Sequence, residues 1–239
     1  MHSGITTHWA SFIVCAVCSC LLAGDARPQY AEIVVVDQDP ERGIPLVELT
    51  TVNHLHFVTD NAGRIALYEP GLMGRPVFFH VRSHGCEFPV DGFGNRGTRL
   101  SLMPGKSVTL RLKRVNIAER LYRITGEGLY RDSVLLHHET PLEEPLGAGK
   151  VAGQDSAFAV PYRGKLFWFW GDTSRMSYPL GHFWMAGATS QAPGTGGLDP
   201  SRGIDLQYFV DDVGFSRPMC RLGVSRGLIW ADGFATVLD

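Results

Sequence analysis

Two aspartates flank a short predicted hairpin in the second half of the sequence, and aromatic residues lie between them. The two strings read Gly153-Gln154-Asp155-Ser156 and Phe167-Trp168-Phe169-Trp170-Gly171-Asp172. Because a hairpin returns the chain on itself, we expect Asp155 and Asp172 to lie at the same edge of a sheet. Paired carboxylates suit glycoside hydrolysis, in which one is the base or nucleophile and the other is the acid or modulates a pKa.

Aromatic side chains near the two aspartates are candidates for stacking on a sugar ring. Trp168 and Trp170, or Tyr178 and Phe183 beyond them, would form the platform, and His182 would contact the same ligand. A structural interpretation stays open for both aspartates. Asp at the end of a strand commonly accepts hydrogen bonds from the amides of a turn, which requires no ligand at all.

The elements that position these residues are predicted to be short strands. In the first part of the chain, alternating or β-branched runs separated by turn signals cover residues 33–36, 46–51, 55–59, 64–68, 77–83 and 107–113. This succession predicts a small antiparallel β-sandwich over residues 31–114. The fold class of the whole chain is therefore predicted to be all-β.

Three motifs of this first region occur in a characteristic order. They are Val36-Asp37, Gly43-Ile44-Pro45-Leu46 and the turn Thr59-Asp60-Asn61-Ala62-Gly63. Their order resembles the carboxypeptidase regulatory-like, prealbumin-type sandwich. The resemblance implies an accessory domain for packing, linking or facing a sugar, without a catalytic group of its own.

A loop-rich linker and first strand are predicted over residues 115–151, followed by a second β region over 152–239. Residues 116–123 could start a short helix or a strand. Candidate strands of the second region cover 158–162, 166–170, 184–189, 204–209 and 228–230. Short strands rich in glycine and aromatic residues suit the blades of a β-propeller, although no clean repeat is visible.

The strings around Asp155 and Asp172 resemble the first blade of five-bladed β-propeller glycosidases, which include families acting on arabinofuranose-containing polysaccharides. The resemblance implies that both aspartates face a central funnel. Those enzymes commonly use a Glu on a later blade as general acid, whereas no Glu follows Glu144 here. Residues 152–239 are also too few for the four to eight blades that close a propeller. We therefore expect an incomplete propeller and a fragment of a longer protein.

The first residues are predicted to be an export signal. The run from residue 9 to 24 is apolar and uncharged, and Gly24 and Ala26 offer a cleavage site that would remove residues 1–26. The mature protein would then be extracytoplasmic, in the periplasm, secreted or at the cell surface. A lipid anchor or a retained signal anchor is the alternative, and no other membrane contact is expected.

Charge and cysteine content narrow the range of partners. The sequence has 22 Lys and Arg against 24 Asp and Glu, which gives no cationic excess for nucleic acid. Outside the predicted signal only Cys86 and Cys220 remain, and we expect two separate buried thiols rather than a disulfide. His54, His56, His80 and His84 are expected to be exposed strand residues. No metal or other cofactor is predicted.

The sequence thus predicts an exported, carbohydrate-active protein. The leading hypothesis is a glycoside hydrolase of the β-propeller type that acts on a polysaccharide or oligosaccharide, with Asp172 and Asp155 as its catalytic pair. The alternative is a non-catalytic surface protein that binds carbohydrate or protein, which the missing Glu favours.

Overall fold

The computed structural model describes residues 29–182, 184–220 and 229–237, with side chains omitted at 179–182. The predicted export signal lies outside these ranges. The described chain is nearly all β, as the sequence predicts, and contains one short helix. No helix in the described ranges has the length and hydropathy needed to cross a membrane.

Eight strands form the first part of the chain. They are β1 (Ala31–Asp37), β2 (Glu48–Thr51), β3 (His56–Val58), β4 (Arg64–Leu67), β5 (Pro76–Arg82), β6 (Cys86–Glu87), β7 (Gly97–Ser101) and β8 (Ser107–Arg114). All six strands predicted here are present, within two residues at each end. The sequence missed β6 and β7, because the glycines and Pro89 between residues 85 and 97 read as turns.

These strands form two four-stranded sheets, in the orders β4-β1-β8-β6 and β3-β2-β5-β7. Every pairing is antiparallel except the one between β1 and β8, which run parallel with Ile33 opposite Val108. The prediction of a purely antiparallel arrangement is therefore wrong at this pair. A parallel pair needs a long connection, and here strands β2 to β7 supply it.

One hydrophobic cluster holds the two sheets together. Alternate residues of each strand point into it, which is why β1 reads as alternating buried and half-buried positions. Its largest fully buried members include Ile33, Leu49, Ile65, Phe79 and Leu112, drawn from both sheets. Each such side chain contributes on the order of 1.5–3 kcal/mol when it leaves water.

The same four-residue turn occurs three times in the described chain. The copies read Asp60-Asn61-Ala62-Gly63, Asp91-Gly92-Phe93-Gly94 and Asp211-Asp212-Val213-Gly214. In each copy the Asp Oδ1 accepts hydrogen bonds from the amides two and four residues later, at 2.8–3.1 Å. The glycine has a positive φ and its amide bonds to the carbonyl of the Asp. We call these the Asp-x-x-Gly turns.

The first Asp-x-x-Gly turn also holds the segment that follows β8. The second carboxylate oxygen of Asp60 accepts hydrogen bonds from both the amide and the hydroxyl of Ser133, each at 2.7 Å. The side chain of Asn61 exchanges two hydrogen bonds of 2.9 Å with the backbone of Arg123. Asp132 accepts a bond of 2.8 Å from the amide of Ala66 in β4. Burial raises the pKa of the Asp132 carboxyl.

We call residues 115–150 the connector, because they join the first two sheets to the later strands. The connector contains the helix α1 (Arg131–Leu135), which the sequence did not predict, and no strand. The short helix or strand considered for residues 116–123 is absent. The predicted linker is therefore a packed segment, whose turns are fixed by side chains of the first part of the chain.

Seven strands follow the connector. They are β9 (Val151–Gln154), β10 (Phe158–Tyr162), β11 (Lys165–Trp170), β12 (Thr173–Arg175), β13 (Tyr178–His182), β14 (Ala186–Gln191) and β15 (Gln207–Tyr208). They form one sheet in the order β10-β11-β14-β15 and another in the order β13-β12-β9. Neither sheet is closed. Residues 229 and 230 of the last predicted strand are not extended as a strand, and residue 228 lies outside the described ranges.

The two remaining cysteines are separate, as expected. Cys86 and Cys220 both carry free thiols, but each is half-buried rather than buried. Burial is the main cause that raises the pKa of the Cys86 thiol, and the nearby Asp37 carboxylate adds to it.

The Asp-x-x-Gly turns yield a test that separates backbone strain from crowding. Alanine should be strained at both Gly63 and Gly94, whose φ values are 74° and 83°. At Gly63 the new Cβ would also press on Val35 O and on Gly43 Cα, 2.7 Å away, whereas nothing lies within 4 Å at Gly94. We expect Gly63→Ala to lower the free energy of unfolding by about 1–3 kcal/mol more than Gly94→Ala. Urea denaturation measures the difference, and equal losses would contradict the packing of the first turn.

Candidate functional site

Asp155 and Asp172 lie where one pair of strands passes from one sheet into the other. Strands β9 and β12 pair Gln154 with Thr173, and further along the same two chain segments β10 and β11 pair Phe158 with Phe169. Between them, the amide of Asp155 bonds to the carbonyl of Asp172 at 3.3 Å. We call residues 155–157 and 171–172 the junction. The aspartates are neighbours, as predicted, but they interrupt a continuing ladder instead of ending it.

The carboxylate of Asp155 is exposed and helps to fix the junction. Its Oδ1 accepts a hydrogen bond of 3.0 Å from the amide of Asp172, and its backbone carbonyl accepts another of 3.0 Å from Gly171. This is the structural use that the sequence left open for an Asp beside a turn. The other oxygen, Oδ2, is not engaged by any described residue.

Asp172 has the opposite character. The residue is half-buried, and its Oδ1 is fully buried without a hydrogen-bond partner among the described residues. A buried polar atom left without a partner costs on the order of 1–3 kcal/mol. An unpartnered buried polar atom requires an explanation, and a ligand that brings the missing donor would recover this cost on binding.

The predicted tryptophan platform is mostly core. Trp170 is 1% exposed and stacks between Trp168, at 6.1 Å, and Tyr208, at 5.4 Å between ring centroids. Trp168 is half-buried, and its indole N–H donates to Ser190 Oγ at 2.9 Å. The structure thus gives Trp170 no face for a sugar, because the residue is almost fully buried against aromatic neighbours.

Tyr208 and Gln154 connect this aromatic stack to strands β9 and β12. The Tyr208 hydroxyl donates to Gln154 Oε1 at 2.6 Å, and the Gln154 amide donates to Thr173 Oγ1 at 3.0 Å. Burial raises the pKa of the Tyr208 hydroxyl well above its usual range. The phenol therefore stays protonated and keeps its bond to Gln154, which fixes β9 beside β12.

The two other predicted contact residues lie on the hairpin formed by β12 and β13. Tyr178 is exposed and pairs with Arg175 at the far end of that hairpin from Asp172. His182 pairs with Thr173, next to the junction, but its side chain is outside the described part of the chain. A contact of His182 with a ligand stays a prediction.

One aromatic residue at the junction escaped the sequence analysis. Residues 229–237 return across the hairpin of β10 and β11, where Phe234 stacks on Phe169 with 4.0 Å between ring centroids. Thr236 donates a hydrogen bond to the carbonyl of Pro161. This places Trp230 over Gly171, with its ring edge 3.0 Å from where a Cβ would stand. Trp230 is 46% exposed, so its ring is open to a ligand.

The junction thus combines an accessible indole ring, an exposed carboxylate and a buried carboxylate oxygen that lacks a donor. Side chains of this kind bind sugars, through stacking on the ring and through hydrogen bonds from hydroxyl groups. Within the ranges that the structure covers, no group of three His, Cys, Asp or Glu side chains could hold a metal ion.

Gly171 lies at a point of the junction where a side chain has no room. A Cβ at this position would press on Asp155 Oδ1, on Trp230 and on Ser156 Cβ at 3.3 Å, whereas a Cβ at Gly153 in β9 meets nothing within 4 Å. We expect Gly171→Ala to lower the free energy of unfolding by about 1–3 kcal/mol and Gly153→Ala to have little effect. Urea denaturation of both variants decides this, and a neutral Gly171→Ala would mean that the junction is more open than described.

Comparisons with known proteins identify no relative. No model of a known family matches this chain, and no curated protein or solved structure is significantly similar to it. The resemblances to carboxypeptidase regulatory-like sandwiches and to propeller glycosidases therefore rest on the sequence motifs alone. The side chains at the junction carry the functional inference.

Proposed function

We propose that this protein binds a polysaccharide or oligosaccharide at the junction. One observation carries the proposal: the unpartnered, buried Oδ1 of Asp172 lies beside Gly171, over which the exposed ring of Trp230 is placed. A sugar presents hydroxyl donors at its rim and an apolar face of C–H groups. It can therefore supply the missing donor while it covers the indole ring.

The rest of the chain has a supporting role in this proposal. The two N-terminal sheets share one core, which supports the prealbumin-type sandwich inferred from the sequence, and they would hold the connector and the later strands. The open sheets after the connector would be blades of a propeller. With the export signal at residues 1–26, the protein would meet its glycan outside the cytoplasm.

Glycoside hydrolysis is the second candidate, because the two carboxyl residues are neighbours as such a reaction requires. In this candidate Asp172 is the base or nucleophile and Asp155 is its partner. One observation favours binding without hydrolysis: Asp155 already holds the amide of Asp172 through Oδ1.

The binding proposal is tested by affinity electrophoresis and calorimetry with a panel of soluble neutral polysaccharides. Trp230→Ala should weaken binding about five- to 150-fold, since stacking on an aromatic ring contributes about 1–3 kcal/mol in comparable contacts. Phe93→Ala is the matched control, because Phe93 is an exposed aromatic residue on the second Asp-x-x-Gly turn. If both variants bind like the parent protein, or if no glycan binds, the proposal is wrong.

Hydrolysis is tested separately by the release of reducing ends from the glycans that bind. We expect the parent protein to release none, and Asp172→Asn to bind about tenfold more weakly because the amide offers one acceptor fewer. Product release by the parent that disappears in Asp172→Asn would instead favour the second candidate. The circular dichroism spectra of parent and variant should coincide in either case.

A further inference from the structure

A second candidate site lies in a cavity of about 460 Å³ that none of the junction residues lines. The connector, the start of β9, the end of β12 and the third Asp-x-x-Gly turn form its walls. Its volume lies within the range of about 300–1,000 Å³ that is typical of sites for small molecules.

The third Asp-x-x-Gly turn positions two cations at this cavity. Lys150 Nζ donates a hydrogen bond of 2.5 Å to the carbonyl of Val213. The guanidinium of Arg175 lies over the ring of Phe215, with its Cζ 5.6 Å from the ring centroid. Neither cation has a carboxylate within ion-pair distance among the described residues. Val213 in the turn and Phe215 directly after it therefore hold two cations that have no ion-pair partner among the described residues.

Apolar side chains surround these cations. Leu146 from the connector, Met176 from the β12–β13 turn and Val213 all line the cavity, and all three are exposed to solvent. Exposed large apolar side chains that converge on one cavity are typical of a binding site. One acidic residue, Glu127, lines the cavity as well and would repel an anion.

We propose that this cavity binds a small organic acid, with one carboxylate on an apolar body. The carboxylate would lie between Lys150 and Arg175, and the apolar body would cover Leu146, Met176 and Val213. The geometry favours an organic acid over inorganic phosphate, because only a ligand with an apolar body uses both kinds of wall. The proposal is independent of glycan binding at the junction.

The probe is phenylacetate, titrated into protein labelled with ¹³C at the methionine methyl groups and followed by nuclear magnetic resonance. Met176→Leu identifies the Met176 signal. We expect phenylacetate to shift this signal saturably, while the buried Met185 stays unchanged. Phenylacetamide, which has nearly the same shape without the charge, should bind at least about tenfold more weakly. Inorganic phosphate should not shift Met176 at comparable concentrations.

Charge variants test the assignment of the two cations. Arg175→Gln should weaken phenylacetate binding about tenfold, and Lys150→Gln should weaken it by a similar factor. If one of these variants folds poorly, the other still tests the assignment. Glu127→Gln should strengthen binding, because it removes a negative charge that lines the cavity. The matched control is Arg163→Gln, since Arg163 also lies over an aromatic ring, that of Tyr162 at 5.1 Å, but outside the cavity.

Four results would overturn the proposal. They are equal binding of phenylacetate and phenylacetamide, equal effects of Arg175→Gln and Arg163→Gln, phosphate binding as tight as phenylacetate binding, and the lack of any saturable shift at Met176. Trp230→Ala, which removes the sugar-facing ring, should leave phenylacetate binding unchanged. The failure of one site is therefore distinguishable from the failure of the other.

Discussion

One buried carboxylate joins the two halves of the described chain. Asp60 is 2% exposed, and its two oxygens accept four hydrogen bonds, two inside its own turn and two from Ser133. Each donor left unpaired in such a place would cost about 1–3 kcal/mol. Closure of the turn and docking of the connector are therefore coupled, because both supply donors to the same carboxylate. Together with Asn61 and Asp132, this side chain fixes the connector and thereby helps to position β9 and the strands that follow.

Strands with a clear apolar pattern could be predicted from the sequence. The prediction failed where the path of the chain depends on residues far away in the sequence. β-Branched or alternating runs in the sequence identified β1, β4 and β5. The two-residue β6 and the glycine-flanked β7 have too few apolar residues for such a pattern. The motif around Asp60 was identified as a turn, but its second oxygen has a partner 73 residues later in sequence, which no local pattern contains.

The candidate site was predictable in part, for a related reason. A hairpin must bring Asp155 and Asp172 together, and the two residues are indeed neighbours. Which aromatic residue is open to a ligand could not be inferred, because β11 carries large rings on both of its faces. Phe234, in the segment 229–237, stacks on Phe169 of β11. Tyr208 packs against Trp170, and β14 pairs along one edge of β11. Burial therefore excludes Trp170 as a platform and leaves the exposed Trp230 as the candidate.

The parallel pairing of β1 with β8 sets the order in which the first sheets can be completed during synthesis. Strand β1 lies between β4 and β8. Its second edge therefore stays uncovered until Val108 has left the ribosome and can pair with Ile33. Contacts so distant in sequence are costly to close and slow to form. A nascent chain that pauses before residue 107 would thus display an open apolar strand edge, a ready template for aggregation and for chaperone binding.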